Sequence, residues 1–318
     1  MSVDYKPPFW QIGGHFQTIY PSVFRKLVVP YQRERLELSD GDFLDLDWVK
    51  AGNRKLIIAT HGLEGDSTRH YITGMLARFT PEGFDGLGWN ARSCSGEPNR
   101  LPRFYHHGDA GDLKVVLEYA LALGYEEIVL AGFSMGGSLT LRLLGEYAEA
   151  IPSQVKAAIV ASVPLDLPTS VAELYKKGKR FYMTRFIKKL GKKIEQKAKL
   201  YPNHPHLKYE GYKEEVKDFE VFDSRYTAPL HGYPNAKDFY EQASSKPLLK
   251  FIKSPVLIIQ ALNDPFMSAE CFDIKGAENN KNLQLLLPKN GGHVGFMVKG
   301  KKHSLIEDLA WDFYQKQK

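Results

Sequence analysis

Cysteine is nearly absent from this chain of 318 residues: Cys94 and Cys271 are the only two. Two thiols cannot build a disulfide framework, so a reducing cytoplasm is the expected setting. Long hydrophobic runs are lacking as well, since no apolar stretch approaches the ~20 residues of a membrane-spanning helix. The segment Met1-Ser2-Val3-Asp4-Tyr5-Lys6-Pro7-Pro8 has neither the basic start nor the apolar core of a signal peptide. Metal-ligand spacing is missing too. His106-His107 and His204-Pro205-His206 have no Cys-x-x-Cys partner and no His-Glu-x-x-His setting. No metal or other cofactor is expected, and no internal repeat or low-complexity tract is evident.

What is present is a chain 43% hydrophobic and 25% charged, the balance of a globular protein with a sizeable core. Its net charge of +6 is unevenly placed. Eleven basic residues fall between Lys176 and Lys199 against the single acid Glu195, and the rest of the chain holds more acid than base. No nucleic-acid reading motif accompanies this charge, which argues against such a partner. Within the basic stretch, Met183, Phe186, Ile187, Leu190 and Ile194 form an apolar stripe. The bland reading is a lid helix with its apolar side down and solvated lysines outside. The sharper one is contact with an anionic lipid surface or an anionic substrate.

Period and punctuation give the architecture. Alternation around Ser39-Asp40-Gly41 reads as a β-hairpin. Apolar runs at 55–60, 84–90, 127–131, 155–163, 255–261 and 283–287 read as buried strands. Between them, 71–79, 112–123 and 137–147 read as helices, and Ser304-Leu305-Ile306-Glu307 opens a final helix with a capping box. Strands alternating with helices imply an α/β fold with a mainly parallel sheet and helices on both faces. Residues 167–253 break the alternation, with much lysine and tyrosine and little strand pattern. The expected organisation is a core of 1–166 and 254–318 carrying an inserted helical cap of 167–253. Gly86-Leu87-Gly88 imitates a dinucleotide fingerprint, but Pro98 and Pro102 follow where a helix should open, so these glycines read as close packing within a strand.

The most informative motif is Gly132-Phe133-Ser134-Met135-Gly136. It lies between an apolar β-branched run and a helix carrying Leu139, Leu143 and Leu144, the setting of a nucleophile elbow. A serine hydroxyl is a poor nucleophile until a base takes its proton, and that base needs an orienting carboxylate. In the α/β-hydrolase arrangement the order is Ser, then Asp or Glu, then His, each just past a core strand. Asp264 follows the 255–261 strand, and His293 follows the 283–287 strand in a glycine-flexed loop. Asp166, after the 155–163 strand, is the rival acid, but the Asp264-Pro265 turn fits better. Two backbone N–H groups should receive the developing oxyanion: that of Met135, and that of Leu63 in the loop His61-Gly62-Leu63-Glu64-Gly65. His61 reads as a loop-shaping residue.

The chain resembles the α/β-hydrolase superfamily. More narrowly it resembles the YheT-like branch of predicted esterases related to yeast medium-chain fatty-acid ethyl-ester synthase/esterases. The resemblance spans nearly the whole chain. It rests on Gly14-His15-Phe16-Gln17-Thr18-Ile19-Tyr20-Pro21, His61-Gly62-Leu63-Glu64-Gly65, Cys94-Ser95-Gly96-Glu97-Pro98-Asn99-Arg100 and Thr227-Ala228-Pro229-Leu230-His231-Gly232. Ala91 and Ser93 depart from it, standing where the family usually has an aromatic residue and glycine. The resemblance implies the triad Ser134, Asp264 and His293 and hydrolysis of an acyl-ester substrate, or acyl transfer to an alcohol. The function expected is a serine carboxylic-ester hydrolase for short- to medium-chain acyl esters. The alternatives are an alcohol O-acyltransferase and a non-catalytic interaction module on the same fold. The N-terminal arm with His15 and Gln17 is expected to pack on the core.

Overall fold

In the computed structural model, which describes residues 5–272, 275 and 278–318, eight strands form one sheet. They are β1 (Gln32–Glu37), β2 (Phe43–Val49), β3 (Lys55–Thr60), β4 (Asp85–Asn90), β5 (Glu127–Phe133), β6 (Val155–Ala161), β7 (Val256–Ile259) and β8 (Leu283–Leu286). Their order across the sheet is β1-β2-β4-β3-β5-β6-β7-β8. The hairpin β1–β2 and the β2–β4 pair are antiparallel, and every other pairing is parallel.

The central strands are apolar throughout because both faces are covered. Leu56, Ile58, Leu130, Val160 and Ile258 point to one face, and Ile57, Ala59, Val129, Ile159 and Leu257 to the other. On the first face lie α3 (Gly111–Ala122) and α4 (Met135–Glu146), through Leu113, Val116, Leu139 and Leu143. Against the second pack α2 (His70–Phe79) and α8 (Leu305–Gln315), through Ile72, Met75, Ile306 and Phe313. The capping box at Ser304 is formed as the sequence leads one to expect. The glycines of β4 lie within the strand, where a Cβ on Gly86 would meet the Leu76 side chain at 2.8 Å. Strand β1 is an edge, and its Arg33 and Arg35 reach across to Asp47 and Asp45 on β2.

Between β6 and β7 the chain is helical. It runs through α5 (Leu167–Leu174), α6 (Arg180–Leu200), short turns from Tyr212 to Leu230, and α7 (Ala236–Ala243). These elements carry their own apolar cluster of Met183, Ile187, Leu190, Ile194, Phe219 and Phe222. The apolar stripe of α6 therefore packs inward; Lys188, Lys192 and Lys199 are exposed, whereas Lys197 is buried and Lys193 pairs with Glu64. Residues at the end of this stretch return to the core, where Leu249 and Ile252 join the cluster under the sheet. Among the described residues no helix is long and apolar enough to cross a membrane.

One element had no expected counterpart: α1 (Gly13–Phe24), near the amino terminus. Arg25, just past it, is clamped by Glu307 of α8 through two hydrogen bonds of 2.7 and 2.8 Å. That buried pair fixes the far end of α1 to the core.

Candidate active site

Ser134 directly follows β5 and caps α4 with φ 55° and ψ −122°. A non-glycine residue at positive φ is uncommon, and here the turn is held by tight packing on both sides. A Cβ on Gly136 would lie 2.2 Å from the Thr60 carbonyl oxygen, and one on Gly132 would lie 2.5 Å from that of Gly136. Only glycine lets α4 cross this closely over β3 and β5, so the serine is pushed up at the end of the sheet.

The loop after β3 approaches from the neighbouring strand. His61 is buried and shapes it. Its Nε2 accepts the Ala91 N–H at 3.1 Å, so the proton sits on Nδ1, which donates to the Gly62 carbonyl at 2.8 Å. Burial pushes its pKa down to about 4, which keeps it neutral. The Gly62 N–H donates to the Tyr71 hydroxyl at 3.3 Å and the Glu64 N–H to the Tyr105 hydroxyl at 2.8 Å. The Leu63 N–H between them finds no acceptor among the described residues. The Met135 N–H, at the first position of α4, likewise has none. Neither of the two sequence-derived donors is therefore taken by another group among the described residues.

His293 and Asp264 come together. The Nδ1 of His293 stands 2.9 Å from Asp264 Oδ2, and both residues are buried. Asp264 Oδ1 accepts the Phe266 N–H at 2.8 Å, and the Phe266 ring stacks on the imidazole with centroids 4.1 Å apart. Ser134 and His293 line one cavity, together with Leu63, Tyr71 and Phe266. Asp166 is elsewhere employed. Its carboxylate accepts the Thr169 N–H at 3.1 Å and caps α5.

The residues that sequence reasoning missed lie in the support of His293. Its backbone N–H donates to Thr18 Oγ1 at 2.8 Å. Gln17 Oε1 accepts the Gly291 N–H at 2.8 Å and an N–H of the Asn263 side chain at 2.9 Å. The next N–H along, that of Val294, donates to Ser162 Oγ at 3.0 Å. Val294 sits at φ 52° and Ser162 at φ 53°, so the strained backbone of this molecule gathers around the site. The only signal for Gln17 and Thr18 was the motif they share with the resembling family. His15 meets Tyr182 of α6, with its Nδ1 3.1 Å from the hydroxyl. Ser93, which stands in place of the family's glycine, adopts φ 62°, and Asn99 braces it through Ser93 Oγ.

Comparison with known proteins agrees with the fold. Residues 55–300 match the model of the family described as "alpha/beta hydrolase fold". The chain belongs to the α/β-hydrolase family. Among its relatives in that family, "Putative esterase YheT" of Escherichia coli (strain K12) is 34% identical over 290 residues, covering 89% of this chain and 84% of the relative. "Phospholipase ABHD3" of Homo sapiens is 29% identical over 311 residues, covering 92% of this chain and 73% of the relative. Of solved α/β-hydrolases, the Pyrococcus furiosus esterase Pf2001 superimposes with a TM-score of 0.60 at 17% identity, over 99% of both chains.

Among the described residues no group of three or more His, Cys, Asp or Glu side chains could hold a metal ion. His106 and His231 instead lie ring to ring, with centroids 4.2 Å apart, and burial keeps both neutral.

Proposed function

We propose that this α/β-hydrolase is a serine carboxylic-ester hydrolase acting on short- to medium-chain acyl esters. The observation that carries the reading is the buried His293–Asp264 pair, 2.9 Å apart, in the wall of the cavity that also holds strained Ser134. Ser134 Oγ attacks the ester carbonyl while His293, through its free Nε2, takes the hydroxyl proton. The oxyanion is received by the N–H groups of Leu63 and Met135. As the carbonyl re-forms, the bond to the alcohol breaks and His293 returns the proton to the departing oxygen. Water, deprotonated by the same imidazole, then releases the acid and frees Ser134. Asp264 holds the proton of His293 on Nδ1 and steadies the imidazolium that forms in each half-reaction.

The acyl group has an apolar place to go. A second cavity of about 810 Å³, counted with its open mouth, begins at Ser134 and runs under the cap between Val171, Leu174, Leu190, Phe219 and Phe222. Its largely apolar walls suit a hydrocarbon chain. The names of the relatives agree on ester cleavage in general, as esterase and phospholipase. The two cysteines are unpaired, Cys94 with its Sγ near Lys193 and Cys271 buried beside Ser170, which supports a reducing cytoplasm.

The test is a panel of p-nitrophenyl esters from acetate to palmitate with the purified protein and its Ser134→Ala variant. We expect a maximum at short to medium chains and loss of turnover in the variant. Undiminished hydrolysis by Ser134→Ala would refute the reading. Ester formed in water–ethanol mixtures beyond simple competition between the two acceptors would instead show acyl transfer.

A further inference from the structure

Two cavities meet at Ser134, and they differ in charge. The chamber under the cap is mostly apolar and includes no lysine or arginine in its lining, whereas the mouth on the His293 side is lined by Arg69, Arg185 and Lys189. Among the described residues none of these three cations is paired with a carboxylate. Arg69 Nη2 and Lys189 Nζ instead donate to one and the same acceptor, the Glu64 carbonyl oxygen, at 2.8 and 3.2 Å. The Glu64 carboxylate is already engaged, by Lys193 at 2.7 Å and by the Tyr105 hydroxyl at 2.6 Å. The Asp66 carboxylate, the other acid nearby, is turned to the Thr68 N–H at 2.8 Å.

The three like charges share this mouth, Arg69 and Lys189 half-buried and Arg185 exposed. Burial, and next the charge of Arg69, hold the Lys189 ammonium below its ordinary pKa. Arg185 and Lys189 are also four residues apart on α6, a like-charge spacing that weakens a helix. Arg69 immediately precedes α2, so the positive end of that helix dipole adds to the same field. In the wall of this mouth lies buried His70, neutral because burial presses its pKa to about 3, with no partner for either ring nitrogen among the described residues. Such a cluster is costly without a bound anion and is well matched to one.

Resting on the hydrolase reading above, we propose that the mouth binds a phosphate-like anionic group on the alcohol side of the ester. The preferred substrates are then acyl esters of phosphorylated alcohols, with the chain in the apolar chamber and the anion between Arg69, Arg185 and Lys189. The anion could belong to a dissolved phosphorylated ester or to a lipid headgroup, and both present the same oxygens.

The test compares kcat/KM for 1-octanoylglycerol 3-phosphate and 1-octanoylglycerol, both as monomers. The wild-type protein should favour the phosphate ester by roughly 10- to 100-fold, the range for charge-assisted hydrogen bonds in a partly buried site. In Arg185→Gln/Lys189→Gln that ratio should collapse towards one. In Lys188→Gln/Lys192→Gln, which removes equal charge from exposed positions of the same helix, it should persist. Equal rates on the two esters in the wild type would overturn the proposal and leave the hydrolase reading standing. A ratio that survives the first variant, or falls equally in the second, would overturn it too. Failure to hydrolyse either ester or any p-nitrophenyl ester would instead strike the hydrolase reading beneath it. Presenting a long-chain phosphorylated ester in phosphatidylcholine vesicles separates the two sources: faster turnover there than on the monomer assigns a headgroup, and slower turnover assigns the dissolved ester.

Discussion

Thr18 Oγ1 accepts the backbone N–H of His293 at 2.8 Å, a bond joining residues 275 positions apart. The same hydroxyl donates to the Gly14 carbonyl of its own helix at 2.6 Å, so its acceptor lone pairs are aimed outward at the histidine loop. The N-terminal helix thus holds the His293 loop, and with it the proposed base, in place. Thr18→Val keeps the shape and removes the acceptor, leaving a buried N–H unpaired at a cost of about 1–3 kcal/mol. We expect kcat to fall roughly tenfold or more with KM less affected, and Thr18→Ser to restore it, in steady-state assays on a p-nitrophenyl ester. A purely structural role would lower the melting temperature without separating kcat from KM.

The two candidate acids separate cleanly. Asp264→Asn removes the charge that steadies the imidazolium and permits the wrong tautomer, so kcat should fall by roughly 10³- to 10⁴-fold. Asp166→Asn replaces one good helix cap by another and should leave both activity and melting temperature nearly unchanged. Comparable losses in the two variants would contradict the assignment.

Gly136→Ala tests the elbow. The added methyl would lie 2.2 Å from the Thr60 carbonyl oxygen, a backbone atom with nowhere to move. Overpacking of this kind costs about 1–3 kcal/mol or more. Urea unfolding should show at least that loss, and the displaced Ser134 should lose most of its reactivity.

Acid should destabilise the protein early. Burial lowers the pKa of His61, His107 and His231 to about 4 and of His70 to about 3. A depressed folded-state pKa means that the unfolded chain binds protons first. The stability associated with these neutral histidines is therefore whole above pH ~6.5 and drains away as pH falls towards 4. Asp223 works in the opposite sense, since burial raises it to about 6 and its contribution is lost as pH rises through that value, but it is a single group. The ceiling is on the order of 2 kcal/mol per buried histidine at pH 5. Melting temperatures should drop steeply from pH 7 to pH 5, and a flat profile would show that these rings are solvated.

The parts of this molecule visible in the sequence are those governed by local pattern. Strand β3 was found residue for residue at 55–60, because Leu56, Ile57, Ile58 and Ala59 are buried on both faces and bounded by a turn. The elbow was visible because strand, glycines and helix are contiguous in the chain. Helix α1 was not. Ile12, Phe16, Ile19 and Phe24 are apolar but exposed, and the helix contains Pro21, so neither the amphipathic stripe nor an uninterrupted helical run was there to see. Gln17 and Thr18 escaped for a related reason. Their work is to accept hydrogen bonds from a loop more than 270 residues distant, and no periodicity records such a contact. The cationic mouth was visible only as excess charge. Sequence gave no way to separate Arg185 and Lys189, which face Ser134's cavity, from Lys188 and Lys192, which do not.

The central claim is that Ser134 is an activated nucleophile, and covalent labelling tests it most directly. Incubation with an alkyl fluorophosphonate followed by mass spectrometry of the intact and digested protein should give one adduct, on Ser134. The adduct should vanish in Ser134→Ala and form far more slowly in His293→Ala. A protein that hydrolyses esters yet is labelled at another residue, or whose Ser134 reacts no faster once His293 is present than without it, would contradict the account.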